Sequence, residues 1–371
     1  MIYLDNAATT MPKPPEVYSA VLDAMKTCAS LGRSGHEAAR KAAETAFSCR
    51  LLAGELFELS PEQVVFTLNA THALNLAIKT IVQPGDRVVV SGFEHNAVMR
   101  PLHSLGAQAV IAGSALFDPD DTLTAFDRAM TRDTKAVICT HVSNVFGYIL
   151  PVEELAALCR QRGIPLILDA AQSAGILPLS MRQLQAAFIA MPGHKGLYGP
   201  QGTGMLLCGQ TPATLLEGGT GSLSVSMEMP DFLPDRAEAG THNVPGIAGL
   251  LAGMQYLKQR GWKAVSDKEG ALLALLQQLL TGLPGVRTYY AGGTLQSGVL
   301  SLTVDGWDCE MLAEQLAEAG IAVRAGLHCA PTAHQSAGTL ANGTIRISVS
   351  DFNTRADIES FVAVLASILE K

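Results

Sequence analysis

Between about residue 60 and residue 210, short apolar runs recur, and most are followed by a segment of helical spacing. This alternation restricts the chain to few architectures. The runs Gln63–Thr67, Arg87–Ser91, Ala107–Ala112, Lys135–Thr140, Pro165–Asp169, Phe188–Ala190 and Met205–Cys208 are partly β-branched and apolar on both faces. Strands enclosed between two helix layers have that character. Helical periods lie between them at Thr71–Thr80, Asn96–Leu105, Leu123–Thr131 and Val152–Arg162. Strand and helix in turn predict an α/β fold, with a mostly parallel seven-stranded sheet covered on both sides.

After about residue 245 the texture changes. Leu272, Leu275, Leu276, Leu279 and Leu280 recur on one helical face, and short strands follow near Val299–Val304, Ala322–Arg324 and Thr344–Val349. Thr354 is placed to cap a last helix whose core stripe is Ile358, Phe361, Val362 and Leu365. This half reads as a smaller α+β domain. The expected division is a large domain over 15–250 and a small one built from 1–14 and 251–371. Two glycine-rich stretches, Gly193–Gly204 and Gly326–Gly343, read as loops, and both contain candidate chemistry.

Composition narrows the function classes. Charged residues are only 16% of the chain, against about 25% in a typical soluble protein, and apolar residues are 48%. Disorder needs the opposite balance. The net charge of −8 argues against nucleic acid or an anionic membrane as the main partner. No apolar run has the length of a spanning helix. The seven cysteines lack the close spacing of a zinc site or redox pair, so no metal is expected. MIYLDNAATT at the start has neither the basic nor the apolar part of a secretory signal, and a cytoplasmic location is expected.

Several residues sit where such a fold concentrates chemistry. Lys195 follows a buried strand inside the glycine-rich stretch; it is either a solvated lysine on a turn or a partly desolvated Schiff-base lysine. Asp169 ends an apolar strand, where it either caps the next helix or faces a ligand crevice and keeps a pyridinium nitrogen protonated. His95 occupies an equivalent position after Arg87–Ser91. Thr67–Thr71 is a strand-to-helix junction of the kind that binds phosphate. Arg346, within a strand, calls for an anion: an internal carboxylate or a substrate's. Cys329, beside His328 and near Arg324, is either an inert loop thiol or one activated by positive charge and access.

Taken together, Tyr3-Leu-Asp-Asn-Ala-Ala-Thr9, Glu94-His95, Asp169-x-x-Gln172, Gly193-His-Lys195, Arg324-x-Gly-x-His-Cys329-Ala and Arg346 resemble the class V aminotransferase-type enzymes that use pyridoxal 5'-phosphate. Within them the likeness is to group II cysteine desulfurases and selenocysteine lyases. The resemblance implies the type I fold of pyridoxal-phosphate-dependent transferases. It implies that Lys195 attaches the cofactor, Asp169 pairs with its ring nitrogen and Gln172 bonds its ring hydroxyl. His95 stacks on the ring and moves protons, Asn144 lies beside it, and Thr71 and His194 hold the phosphate. Thr241 reaches the phosphate site of a neighbouring subunit in a homodimer. Arg324 and Arg346 bind the carboxylate of cysteine or selenocysteine. Cys329 takes the sulfur as a persulfide, for a sulfur-acceptor protein. The alternatives it leaves are selenocysteine lyase, cysteine sulfinate desulfinase and aminotransferase. Pro192, Asn69-Ala-Thr71 and Leu327-His328 depart from the group II pattern, the first where a hydroxyl residue is common.

Overall fold

The computed structural model describes residues 1–31 and 34–370. The chain opens with β1 (Ile2–Tyr3), α1 (Pro15–Thr27) and α2 (Glu37–Phe57). It then alternates through β2 (Val64–Thr67), α3 (Ala70–Ile81), β3 (Arg87–Ser91), α4 (Asn96–Ser104), β4 (Gln108–Ala112), α5 (Pro119–Ala129), β5 (Thr134–Thr140), α6 (Val152–Arg162) and β6 (Leu166–Asp169). A short α7 (Met181–Leu184), β7 (Phe188–Pro192) and β8 (Gly204–Cys208) complete the series. Strands β2 to β8 form one seven-stranded sheet in the order β2-β8-β7-β6-β5-β3-β4. Only β8 runs against its neighbours, β2 and β7.

Alternate residues of these strands feed two cores. Val89, Val137, Cys139, Leu166 and Leu168 join one with Cys49, Phe57, Leu155 and Cys159. Val88, Val90, Ala136, Ile138 and Ile167 join the other with Leu74, Ile78, Val98 and Leu102. Each fully buried Leu, Ile or Val contributes about 1.5–3 kcal/mol over leaving it exposed, so the period-two pattern fixes which face each strand presents.

Beyond the sheet come α8 (Val244–Arg260), α9 (Trp262–Leu280), β9 (Val286–Tyr289), β10 (Val299–Val304), α10 (Cys309–Glu318), β11 (Ile321–Ala322), β12 (Arg324–Gly326), α11 (Pro331–Ala337), β13 (Thr344–Ser348) and α12 (Arg355–Leu369). Strands β12-β13-β10-β9 make an antiparallel sheet, and β1 pairs with β11 in parallel. Leu272, Leu273, Leu276 and Leu280 are buried on α9, with Leu275 and Leu279 at the margin of that core. Thr354 caps α12, accepting from the Asp357 N–H at 3.3 Å.

The expected strands are present to within a residue or two, with three instructive differences. Ala322–Arg324 is not one strand: its two ends pair with different partners, β1 and β13, across Val323. Helix α5 begins at Pro119 because Asp118 accepts from the Asp121 N–H at 2.9 Å and proline suits the first turn. The stretch Gly326–Gly343 is not a loop throughout, since α11 starts at Pro331, two residues after Cys329.

A buried ion pair fixes the segment between β8 and α8. Glu238 accepts from Arg50 Nη1 at 2.8 Å and Nη2 at 2.6 Å, and His242 Nε2 lies 2.6 Å from the same carboxylate. Burial alone would raise the Glu238 carboxyl, but Arg50 and His242 hold it below its ordinary value. Glu238→Ala leaves the Arg50 guanidinium buried without an anion. It is expected to lower unfolding free energy by about 3–5 kcal/mol in urea titration, and a loss below about 1 kcal/mol would show the pair to be dispensable.

Candidate active site

The parallel strands β7, β6, β5 and β3 end at one edge of the sheet, and ligands in such folds bind outside those carboxyl ends. Asp169 is the last residue of β6 and is buried. Pro192 ends β7, and Gly193-His194-Lys195 turns directly off it. His95 follows β3 and caps α4, its Nδ1 accepting from the Ala97 N–H at 3.0 Å. Asn69 caps α3 in the same way, accepting from the His72 N–H at 2.9 Å, so Thr71 lies in the first turn of α3. The result is a half-open cleft with about 510 Å³ of space, lined by Thr71, His95, Asn144, Asp169, Gln172, His194 and Lys195 among others.

Enclosure sets the charge states. Lys195 is largely surrounded by protein, and desolvation lowers its ammonium to about 8, Asp169 opposing and Arg346 and Arg324 reinforcing the shift. The same burial raises Asp169, against the Ala171 N–H and Lys195. His95 is lowered to about 4 by burial and by the charges of Lys195, Arg324 and Arg346, so near neutral pH its ring carries no net charge. With Nδ1 accepting from Ala97, the proton of that neutral ring sits on Nε2. His194 is likewise lowered to about 4, by burial and by Lys195 and Lys13, and its Nδ1 lies 3.0 Å from Thr9 Oγ1.

Polar groups without protein partners converge on the cleft. Among the described residues the Lys195 ammonium makes no hydrogen bond, and only Oδ1 of Asp169 is engaged, by the Ala171 N–H at 2.9 Å. Gln172 donates through Nε2 to the Ala7 carbonyl at 3.0 Å and keeps its carbonyl oxygen free. At the start of α3 the N–H groups of Ala70 and Thr71 are unpaired, as the first amides of a helix are. An amine nucleophile, an open carboxylate and a helix N-terminus at one cleft fit a ligand with an electrophilic carbon, a protonated ring nitrogen and a phosphate. Pro192 offers no hydroxyl, which leaves the α3 amides, the Thr71 hydroxyl and His194 among the anion donors of the cleft.

The remaining nominated residues lie outside the cleft. Arg346 is 1% exposed, with Nη2 donating to Asp5 Oδ1 at 2.6 Å and Nη1 to the Asn144 carbonyl at 3.1 Å. Its neighbour across the β12–β13 pairing is Arg324, whose Nη2 is 3.8 Å from Cys329 Sγ. Cys329 is exposed, and its carbonyl accepts from the Asn96 N–H at 2.8 Å, one residue from His95. His328 and Cys329 both have left-handed backbones, with φ of 50° and 56°. His328 is not the positive neighbour of the thiol that adjacency in sequence suggests. It is buried, its Nε2 lies 3.1 Å from the Thr344 carbonyl, and burial with nearby Arg346 pushes it down to about 2. Thr241 is exposed and lines a neighbouring hollow with Leu68 and His72.

Two residues without an assigned role join this machinery. Asp5 is the anion for Arg346; no local pattern could reveal it, because the partners are 341 positions apart. Glu94 is wholly buried, accepts from Ser91 Oγ at 2.5 Å and from the Thr140 N–H at 2.7 Å, and so ties β3 to β5. Burial pushes its carboxyl up to about 8, with Asp169 adding to the shift and the Ser91 hydroxyl opposing it. Its place beside His95 in the sequence was the available signal.

The family profile for aminotransferase class-V matches residues 2–361. The chain belongs to the class-V aminotransferase family. A probable cysteine desulfurase of Methanothermobacter thermautotrophicus is 32% identical over 383 residues, covering 99% of this chain and 94% of the relative. A cysteine desulfurase of Synechococcus elongatus is 31% identical, covering 99% of this chain and 60% of its own. Among solved structures, the apo cysteine desulfurase from Thermococcus onnurineus NA1 superposes with a TM-score of 0.89 at 29% identity, over 100% of this chain and 94% of that one. The cysteine desulfurase CsdA from Escherichia coli gives a TM-score of 0.87 at 27% identity, with the same coverage. This chain has their fold, an α/β architecture on a mostly parallel sheet. No helix among the described residues is long and apolar enough to cross a membrane.

The lowered ammonium of Lys195 has a direct consequence for this family member. Trapping of an aldehyde at Lys195 by borohydride, followed by peptide mapping, is expected to accelerate as pH rises through about 8, where the neutral amine becomes dominant. Trapping that climbs only near the ordinary lysine value of 10.5 would contradict the enclosure argument.

Proposed function

We propose that this chain is a cysteine desulfurase that uses pyridoxal 5'-phosphate, converting L-cysteine to L-alanine and leaving the sulfur as a persulfide on Cys329. The observation that carries this reading is the exposed Cys329 thiol next to Arg324. One backbone bond, from the Asn96 N–H to the Cys329 carbonyl, holds this residue beside the turn of His95, which lines the same cleft as Lys195. An aminotransferase has no use for a thiol there. The large unit assigned to the cofactor is 15–250, and the small unit carrying Cys329 is 1–14 with 251–371.

Pyridoxal 5'-phosphate, when bound, supplies an electron sink that stabilises negative charge at the substrate α-carbon. Lys195 would attach the cofactor, and its lowered ammonium makes it available as a neutral base for the substrate α-proton. Asp169 would keep the ring nitrogen protonated, and Gln172 would bond the ring hydroxyl. His95, neutral with its proton on Nε2, would pack against the cofactor and donate from that atom, with Asn144 alongside. Thr71, His194 and the α3 amides would hold the phosphate. The substrate carboxylate is bound by Arg324 and by Arg346, whose Nε has no partner among the described residues. The Cys329 thiolate attacks the substrate sulfur; the new S–S bond forms as the Cβ–S bond breaks. The electron pair leaves with Cβ, which takes a proton and ends as the methyl group of alanine.

A homodimer completes this reading. Helix α1 exposes Tyr18, Leu22 and Met25, α2 exposes Phe47 and Leu51, and the segment before α8 exposes Leu223, Val225, Met227 and Phe232. Apolar surface on that scale marks an association face. Thr241 lies in the Glu238-anchored segment next to it and would reach the partner's phosphate site. A cytoplasmic sulfur-acceptor protein would then discharge Cys329.

Cys329→Ala is expected to lower alanine release from cysteine by about 100-fold or more while retaining the absorption of bound cofactor. Unchanged alanine release would remove the persulfide step. Loss with cysteine but full activity with selenocysteine would favour the selenocysteine lyase assignment. In sedimentation equilibrium the holoenzyme is expected to be dimeric, with Thr241→Ala losing cofactor faster on dialysis. A monomer of full activity would overturn the shared site.

A further inference from the structure

The carbonyl of His194, in the turn that presents Lys195, is crowded by donors from the N-terminal segment. The Thr10 N–H nitrogen lies 3.2 Å from it, Thr10 Oγ1 3.1 Å, Lys13 Nζ 3.2 Å and Thr9 Oγ1 3.3 Å. A carbonyl oxygen has two lone pairs, so these donors cannot all be served. Thr9 has a second choice, because its Oγ1 is also 3.0 Å from His194 Nδ1. Where the Thr9 proton goes decides which nitrogen of the imidazole is protonated.

The competing donors leave Thr9 one outlet. The Thr10 N–H has no other acceptor among the described residues. The Lys13 ammonium has three protons and three acceptors in reach: the Thr10 carbonyl at 2.8 Å, Thr10 Oγ1 at 2.7 Å and the His194 carbonyl. Burial lowers Lys13 to about 8, which keeps it mostly charged near neutral pH. These two residues fill the His194 carbonyl. The Thr10 hydroxyl, receiving from Lys13, turns its own proton to the Lys195 carbonyl at 3.2 Å. Thr9 is left to donate to His194 Nδ1. Burial, with Lys195 and Lys13, pushes His194 down to about 4, so the ring is neutral and its proton sits on Nε2. That nitrogen makes no hydrogen bond among the described residues and keeps solvent access, and His194 lines the cleft.

We propose that Thr9 and Lys13 are positioning residues: Lys13 occupies the His194 carbonyl, Thr9 thereby donates to Nδ1, and His194 presents an Nε2–H to the cofactor phosphate. This role rests on the reading that His194 holds that phosphate. An ionised phosphate accepts hydrogen bonds, and the opposite tautomer would face it with a lone pair. The oriented Nε2–H also supplies a donor at a turn where Pro192 supplies none.

Magnetic resonance of the holoenzyme with nitrogen-labelled histidine reads the tautomer. The His194 signals, identified by their loss in His194→Ala, should show a proton on Nε2 and an unprotonated, hydrogen-bonded Nδ1. Thr9→Val should move Nδ1 to the position of an unbonded nitrogen, and Thr9→Ser should restore it. Lys13→Met should move Nδ1 the same way, although Lys13 bonds only the carbonyl of that residue. Cofactor release on dialysis should quicken about tenfold in Thr9→Val and Lys13→Met, as for one lost charge-assisted hydrogen bond. A proton on Nδ1 in the wild type, or an Nδ1 signal indifferent to both substitutions, would overturn the proposal. The expected tautomer with cofactor release unchanged in His194→Ala would remove the phosphate role and uphold the assignment of Thr9 and Lys13. Neutron diffraction from wild-type crystals, which places the deuterium on Nε2 or Nδ1 directly, decides the tautomer even if a variant fails to fold.

Discussion

Arg346 lies in the small antiparallel sheet with 1% of its surface exposed, and a guanidinium so placed must find anions or carbonyls or be expelled. It finds Asp5 from the N-terminal segment and the Asn144 carbonyl from beyond β5. The arrangement of the two sheets hangs on that arginine, because its two partners belong to otherwise separate parts of the chain. Asn6 and Asn353 reinforce the junction: Asn353 Nδ2 donates to the Tyr3 carbonyl at 2.9 Å, and Asn6 Nδ2 donates to the Ser348 carbonyl at the same distance. This polar seam ties the N-terminal segment and the stretch after β5 to the small sheet.

Within the cleft, one physical cause produces opposite effects on acids and bases. Desolvation lowers the Lys195 ammonium and raises the Asp169 carboxyl, bringing an amine and an acid toward a common range. It also leaves His95 and His194 neutral. The site is thus built around an amine that loses its proton readily and imidazoles that stay uncharged. Beside Cys329 the positive charge comes from Arg324, a residue type that does not titrate in proteins.

Much of this was legible beforehand. The seven strands of the large sheet could be read from runs of apolar residues, and the cleft residues from their positions at strand ends. Helices α1 and α2 were not read. Helix α1 buries only Val17 and Ala24, and α2 buries mainly alanines and other small side chains, so neither carries a strong apolar stripe. The Cys329 segment was read as a loop, yet it is fastened to the large sheet. Asn96 N–H bonds the Cys329 carbonyl, Thr332 Oγ1 bonds the Glu94 carbonyl at 3.0 Å, and Ser336 Oγ bonds the Gly92 carbonyl at 2.9 Å. Each of these contacts spans more than 200 positions of chain, and local composition carries no trace of them.

The sequence by itself determined the sheet, the order of its strands along the chain and the residues offered at their carboxyl ends. Those follow from side-chain period and turn chemistry, which act over a few residues. Tertiary structure alone decided the protonation of those residues, the anion that pairs with Arg346 and the burial of His328. The reason is that desolvation and hydrogen-bond satisfaction depend on what surrounds a group in space, and here the surroundings come from opposite ends of the chain.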